Sequence, residues 1–365
     1  MRKYDEKLVN EITKLEYYEK VNGINILMKP VPDDLRKNAF DPRIIEIIER
    51  KKQLFKSRSN DGFRLSNERN RPDKVTYDLT QSKINESEYL VPIDNTHLIN
   101  TYVFNPFTET KSLPVIVYLH GGGMTSGDVS LYKNQMKLIA EKANAVIVFP
   151  EYRLSPECPY PGPVNDASGV IKWVYENKEV LNINPDQLIL VGDSAGASLS
   201  NACILRDKNQ LIKKVIEIYP AVDFSHYRDQ DRYSWSFDHY PVIDEHYEYM
   251  VSRINRIKKN IETDDKNNLY LQGKTSSKNP EVSIVFANDE SLSKFPPTTI
   301  VSAEYDFLRV GSDYFAEKLS SLGVEVTSVC YKGCDHGFFD MLGTVVQSES
   351  LCNLIADEVI QFKNR

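Results

Sequence analysis

Cysteine is scarce and unpatterned in this 365-residue chain: five residues, at 158, 203, 330, 334 and 352, an odd number without metal-ligand spacing. A disulfide scaffold and a thiolate metal site are therefore not expected, and the thiols read as reduced. No stretch approaches the roughly 18–20 unbroken apolar residues of a membrane span. The opening residues Met1 to Lys7 are charged and lack the apolar core of a signal peptide. These absences predict a cytoplasmic protein. Positive charge is also in deficit, with a net charge of −7, which argues against a nucleic-acid or anionic-membrane partner because both attract basic surfaces. Residues 50–74 reverse the sign, with nine Lys or Arg against three acids; such a run reads as a solvated connector. The length suits one large domain with a lid, although length alone would also allow two domains.

What is present is alternation. Apolar runs with a strand period fall near 76–80, 87–93, 98–104, 114–119, 145–149, 187–191, 214–219, 298–303 and 324–331. Helical patterns lie between them near 131–142, 164–177, 196–208, 312–322 and 349–363. Strands alternating with helices predict an α/β fold with a mostly parallel sheet covered on both faces. The early runs, parted by short polar turns, read as antiparallel strands on one edge. Two segments stand outside the pattern. Residues 1–60 contain helical stretches, the second with Asp41 as N-cap, Pro42 at the first helical position and Ile44, Ile47, Ile48, Lys51, Leu54 and Phe55 on one stripe. Residues 224–280 form a polar, aromatic-rich insert (Tyr227, Tyr233, Trp235, Phe237, Tyr240), whose best helix is near 244–258 with Tyr247, Met250, Val251, Ile254 and Ile257 on one face.

Chemistry gathers where strands end. Leu188 to Val191 run into Gly192-Asp193-Ser194-Ala195-Gly196 and then a helix. A serine on so tight a strand-to-helix turn has its hydroxyl pushed out above the sheet. The bare G-x-S-x-G pattern arises by chance in about one chain in ten of this size, so its setting must carry the argument. Val115 to Leu119 lead into His120-Gly121-Gly122-Gly123, where backbone N–H groups can face a cavity unobstructed. Thr299 to Ser302 end in Ala303-Glu304-Tyr305-Asp306, and the last strand runs into Asp335-His336-Gly337. Ligands of such sheets bind beyond the strands' carboxyl ends, where all four motifs fall.

These motifs, with Glu151-Tyr152-Arg153-Leu154-Ser155-Pro156-Glu157 and Tyr305-Asp306-Phe307-Leu308-Arg309, resemble the landmarks of the hormone-sensitive-lipase-like esterases of the α/β-hydrolase superfamily. The likeness covers residues 76 to 365; Met124, where the family usually carries an aromatic or another bulky apolar residue, and the polar insert after Asp223 depart from it. The resemblance implies an α/β-hydrolase fold, with a mostly parallel eight-stranded sheet flanked by helices over residues 76–365. It further implies a helical cap made by residues 1–75 and the insert at about 224–280, packed over the serine. The chain order Ser, Asp, His is that of the superfamily. Ser194 is the expected nucleophile, His336 its base, and Asp306 the group holding the imidazole. The backbone N–H groups of Gly121, Gly122 and Ala195 are the expected oxyanion hole.

Rivals remain for some roles. Glu304 would share a face with Asp306 on an extended strand, and Asp335 adjoins the histidine, but from a poor position to orient the ring. His120 reads as a buttress of the glycine loop, and His97, His226, His239 and His246 as surface or cap residues. Asp193, Glu157 and Asp166 read as supports, Asp166 as a helix cap, and Cys334 as packing. His239, Asp244 and His246 could be imagined as metal ligands, but a solvated helix start is the better reading. The expected activity is serine carboxylic-ester hydrolysis of short to medium acyl esters, without cofactor or metal, on a small-molecule ester. An amidase or deformylase on the same scaffold, or a receptor that kept the fold and lost catalysis, are the alternatives; the complete Ser-His-Asp set counts against the receptor. Self-association stays open.

Overall fold

The computed structural model describes residues 1–364 apart from residues 22, 56–63, 72–73, 227–230 and 263–264, and no side chains at 54–55 or 260–267. Tyr227, the side chains of Leu54 and Phe55, and part of the basic run at 50–74 thus lie outside the described residues.

Ten strands form one sheet: β1 (Tyr17–Val21), β2 (Ile24–Lys29), β3 (Ile84–Ile93), β4 (His97–Pro106), β5 (Leu113–Leu119), β6 (Val146–Pro150), β7 (Ile183–Asp193), β8 (Lys214–Ile218), β9 (Thr298–Tyr305) and β10 (Val326–Asp335). Their order is β1-β2-β10-β9-β8-β7-β5-β6-β4-β3. The run from β2 to β6 is parallel, and β1, β4 and β3 join it antiparallel. Every residue of β5, β6, β8 and β9 is buried, as parallel strands covered on both faces must be.

The period of two decides which core each residue joins. Ile116 and Tyr118 of β5 enter one apolar cluster, while Val115, Val117 and Leu119 enter the cluster on the opposite face. The first face is covered by α3 (Val129–Ala143) and α8 (Val346–Lys363), through Tyr132, Met136, Ile139, Leu351 and Ile355. The second is covered by α4 (Gly162–Glu176) and α5 (Ala195–Arg206), through Val164, Val170, Val174, Leu199 and Ala202. A further helix, α7 (Arg309–Ser321), buries Phe315 and Leu319 beside β9.

The first 60 residues correct the helical expectation in part. Helix α1 (Lys7–Leu15) packs Val9 and Ile12 on Val346, and α2 (Pro42–Phe55) starts at Pro42, with Asp41 Oδ1 accepting from Arg43 N at 2.8 Å. Between them, however, β1 and β2 form a hairpin whose inner strand pairs parallel with β10. The eight strands expected over residues 76–365 are β3 to β10, and this hairpin extends the sheet to ten. Residues 76–80, expected as a strand, form no ladder; Tyr77 N instead donates to Leu342 O at 3.1 Å, so the extended segment follows the loop after β10. The insert carries α6 (Tyr247–Glu262), with Met250, Ile254 and Ile257 buried, Val251 partly so and Tyr247 exposed.

Candidate active site

Ser194 stands between β7 and α5 with φ 54° and ψ −118°, a left-handed conformation that costs an ordinary residue about 1–3 kcal/mol. The turn is tight enough to demand glycine on both sides. A Cβ on Gly196 would lie 2.0 Å from Leu119 O, and one on Gly192 would lie 2.6 Å from Gly196 C. Ser194 N donates to Ile218 O at 2.8 Å, tying the bend to β8.

β10 delivers His336 and β9 delivers Asp306 to the same sheet end. Ser194 Oγ lies 3.0 Å from His336 Nε2, and His336 Nδ1 lies 2.6 Å from Asp306 Oδ2. Asp306 is fully buried, and its other oxygen accepts from Leu308 N at 3.0 Å. A carboxylate at Nδ1 keeps the ring proton there and leaves the Nε2 lone pair for the serine hydroxyl. The rival acids are engaged elsewhere. Glu304 pairs with Lys332 and accepts from Gly333 N at 2.8 Å; Asp335 accepts from Arg253. Tyr219, missed in the sequence, packs its ring 4.6 Å from the imidazole.

The glycine loop departs from expectation at one residue. Gly121 N donates to Asp193 Oδ1 at 2.6 Å, so this amide is already occupied. Asp193 is buried, also accepts from Tyr118 (2.7 Å) and Tyr132 (3.2 Å), and is raised from the usual carboxylate range by that burial. Its carboxylate competes for Gly121, which is therefore corrected out of the free donors. The amides of Gly122, Gly123 and Ala195 have no acceptor among the described residues. Gly123 was overlooked although it belongs to the same triplet. Gly122 has φ 126°, and a Cβ there would lie 1.9 Å from Ser126 O.

Buttresses surround the loop. His120 is buried, donates from Nδ1 to Gly121 O at 2.8 Å and stacks on Tyr152 at 4.3 Å; burial pushes it down to about 4, so it stays neutral. Arg69 Nε donates to Thr125 O at 2.9 Å while its Nη atoms hold Glu157. That role was hidden within the basic run. Asp166 binds Arg153 and His97 inside α4, not as a cap at its start. His246 Nδ1 accepts from Phe40 N at 3.0 Å, a packing role between α2 and the insert. A cleft of about 500 Å³ between Arg69, Glu151, Arg153 and Cys158 is lined by neither Ser194 nor His336. Among the described residues no helix is long and apolar enough to cross a membrane.

Comparison with known proteins identifies the fold and the family. The sequence profile of the alpha/beta hydrolase fold family matches residues 116–340. Versiconal hemiacetal acetate esterase of Dothistroma septosporum is 27% identical over 66% of this chain and 71% of its own. Esterase LipI of Mycobacterium tuberculosis is 26% identical over 72% of this chain and 78% of its own. Among solved structures, the thermostable carboxylesterase EstE1 from a metagenomic library superposes with a TM-score of 0.63 at 26% identity, covering 77% of this chain and 90% of that one.

Proposed function

The chain belongs to the α/β-hydrolase family, in its hormone-sensitive-lipase-like branch, and is a carboxylic-ester hydrolase; from this premise we propose that it works through a serine acyl-enzyme built on Ser194. The observation that carries the proposal is the line of contacts from Ser194 Oγ to His336 Nε2 at 3.0 Å and from His336 Nδ1 to Asp306 Oδ2 at 2.6 Å.

In this mechanism Ser194 Oγ attacks the ester carbonyl while His336 Nε2 takes its proton. The carbonyl oxygen becomes an oxyanion held by the N–H groups of Gly122, Gly123 and Ala195, each donor contributing about 3 kcal/mol. Asp306 stabilises the imidazolium. The tetrahedral adduct collapses, the bond to the alcohol oxygen breaks, and His336 returns the proton to the departing alcohol. Water, deprotonated by His336, then attacks the acyl-serine; the bond from the acyl carbon to Ser194 Oγ breaks, His336 returns the proton to Oγ, and the acid leaves.

Short to medium acyl chains are the proposed substrates, because a cap limits the chain the site accepts. Packing of the N-terminal segment against the insert supports such a cap. Besides the Phe40–His246 bond, Lys52 of α2 sits over the Tyr249 ring at 4.7 Å. The site would act on soluble small-molecule esters in the cytoplasm. A p-nitrophenyl ester series from acetate to palmitate tests this reading. Turnover should peak at short or medium chains, and a peak at palmitate would overturn the chain-length proposal.

A further inference from the structure

Two arginines of α6, three residues apart and so on one helix face, reach the turn that carries His336. Arg253 Nε donates to Asp335 Oδ2, and Arg256 Nη2 donates to the main-chain oxygen of His336 at 2.6 Å. Arg256 Nη2 also lies 3.6 Å from Asp335 Oδ2. The Asp335 side chain is only 2% exposed, and its Oδ1 has no hydrogen-bond partner among the described residues. A buried carboxylate in that condition is costly unless a cation faces it. The catalytic sheet does not provide one from nearby residues. Lys332 of β10 is paired with Glu304, and Lys74 with Asp340. The balancing charge comes from the insert, with a weaker contribution from Lys51 of α2.

We propose that Arg253 and Arg256 are positioning residues for ester hydrolysis, holding the His336 turn from the insert and cancelling the Asp335 charge beside the imidazole. The inference rests on His336 being the base of the reaction. It gives the insert a part in the chemistry as well as in substrate selection.

The electrostatics follow from the groups around the ring. Asp306 faces Nδ1 from the end of β9, and Tyr219 packs on the ring after β8, kept neutral by burial. Ser194 faces Nε2. Asp340, near Gly337, is neutralised by Lys74. Arg71, from the segment before β3, adds positive potential at Arg256. Burial alone would raise Asp335, but Arg253 and Arg256 overcome this and hold it below the usual carboxylate range. It is therefore ionised throughout the neutral range, and the arginines decide how much of its charge the imidazole feels. Loss of Arg253 leaves more negative charge beside the ring and favours the imidazolium. Loss of the Asp335 charge does the reverse.

The test is the pH dependence of kcat/KM for p-nitrophenyl butyrate. In Arg253→Gln the acid limb should move up by about one pH unit, so that well below the limb the rate, normalised to the alkaline plateau, falls about tenfold against wild type. In the isosteric Asp335→Asn the limb should move down, by about half a unit, and the double variant should return close to wild type. Arg253→Lys, which keeps the charge, should restore most of the limb. A merely structural role would lower kcat at all pH values without moving the limb. Limbs that coincide with wild type, or that move in the same direction in both single variants, overturn the proposal. Should Arg253→Gln fail to fold, an Asp335→Asn limb that stays fixed or rises overturns it as well. Fluorophosphonate labelling of wild-type Ser194 in the same preparation separates the two readings. Absence of labelling refutes the acyl-enzyme, whereas labelling with unmoved limbs refutes only the arginine proposal.

Discussion

The sheet's carboxyl end and the layer laid over it are held together by different physics. At the sheet end, position is dictated locally. Parallel strands buried along their whole length stop at fixed places, and glycines at 192 and 196 admit the Ser194 turn because nothing larger fits. In the overlying layer, position is dictated by pairs distant in sequence, such as Phe40 with His246, Arg69 with Glu157 and Arg253 with Asp335. The first kind of order rests on backbone pairing and on positions too crowded for a side chain. The second depends on individual charge and ring contacts, and so is where specificity and control can vary without loss of the fold.

Substitutions can break this contrast. The largest effect is expected at the sheet end. Ser194→Ala should lower kcat by at least about a thousandfold while circular dichroism and Tm stay near wild type; retained turnover would remove the nucleophile. Gly122→Ala places a methyl on Ser126 O in a backbone with φ 126°. It should cost about a hundredfold in kcat by displacing the oxyanion donors, with KM for p-nitrophenyl butyrate less affected.

In the overlying layer, Phe40→Ala removes a fully buried ring stacked on Tyr305 at 4.0 Å and set edge-on to His246 at 6.1 Å. Unfolding by urea should show a loss of about 3–5 kcal/mol, with the acyl-chain preference altered; a chain profile identical to wild type would separate Phe40 from substrate selection. The smallest effect is a pH-dependent one inside the sheet. Glu217 of β8 is fully buried, and burial, opposed only in part by the Asn201 side chain, pushes it up to about 8 from 4.5. The folded chain thus holds this proton more tightly than the unfolded chain, and stability is lost as pH rises from about 4.5 through about 8. Glu217→Gln should match wild type in Tm near pH 5 and exceed it by a few degrees near pH 9; equal Tm at both pH values would contradict the buried-acid assignment.

The same contrast explains what could be read from the sequence. The motifs around Ser194, Asp306 and His336 were legible because each is a few residues long and ends a strand whose apolar run announces it. The hairpin at 17–29 was not. Four of the five residues of β1 are exposed, so it carries no alternating burial signal, and the strand that β2 joins, β10, lies some 300 residues away. Residues 76–80 misled for the opposite reason, having a strand's pattern but no neighbouring ladder. The Gly121 amide was misassigned because a local triplet does not reveal that the Asp193 carboxylate folds back onto it. Arg69, Arg253 and Arg256 were invisible as functional groups, since a lone cation has no local signature until its partner is found.

Trapping wild-type protein with a fluorophosphonate and mapping the modified peptide shows which residue carries the acyl group. A single adduct on Ser194 is expected, with labelling much slowed in His336→Ala. An adduct confined to another residue, or ester turnover that persists with Ser194 unmodified, would contradict the serine acyl-enzyme.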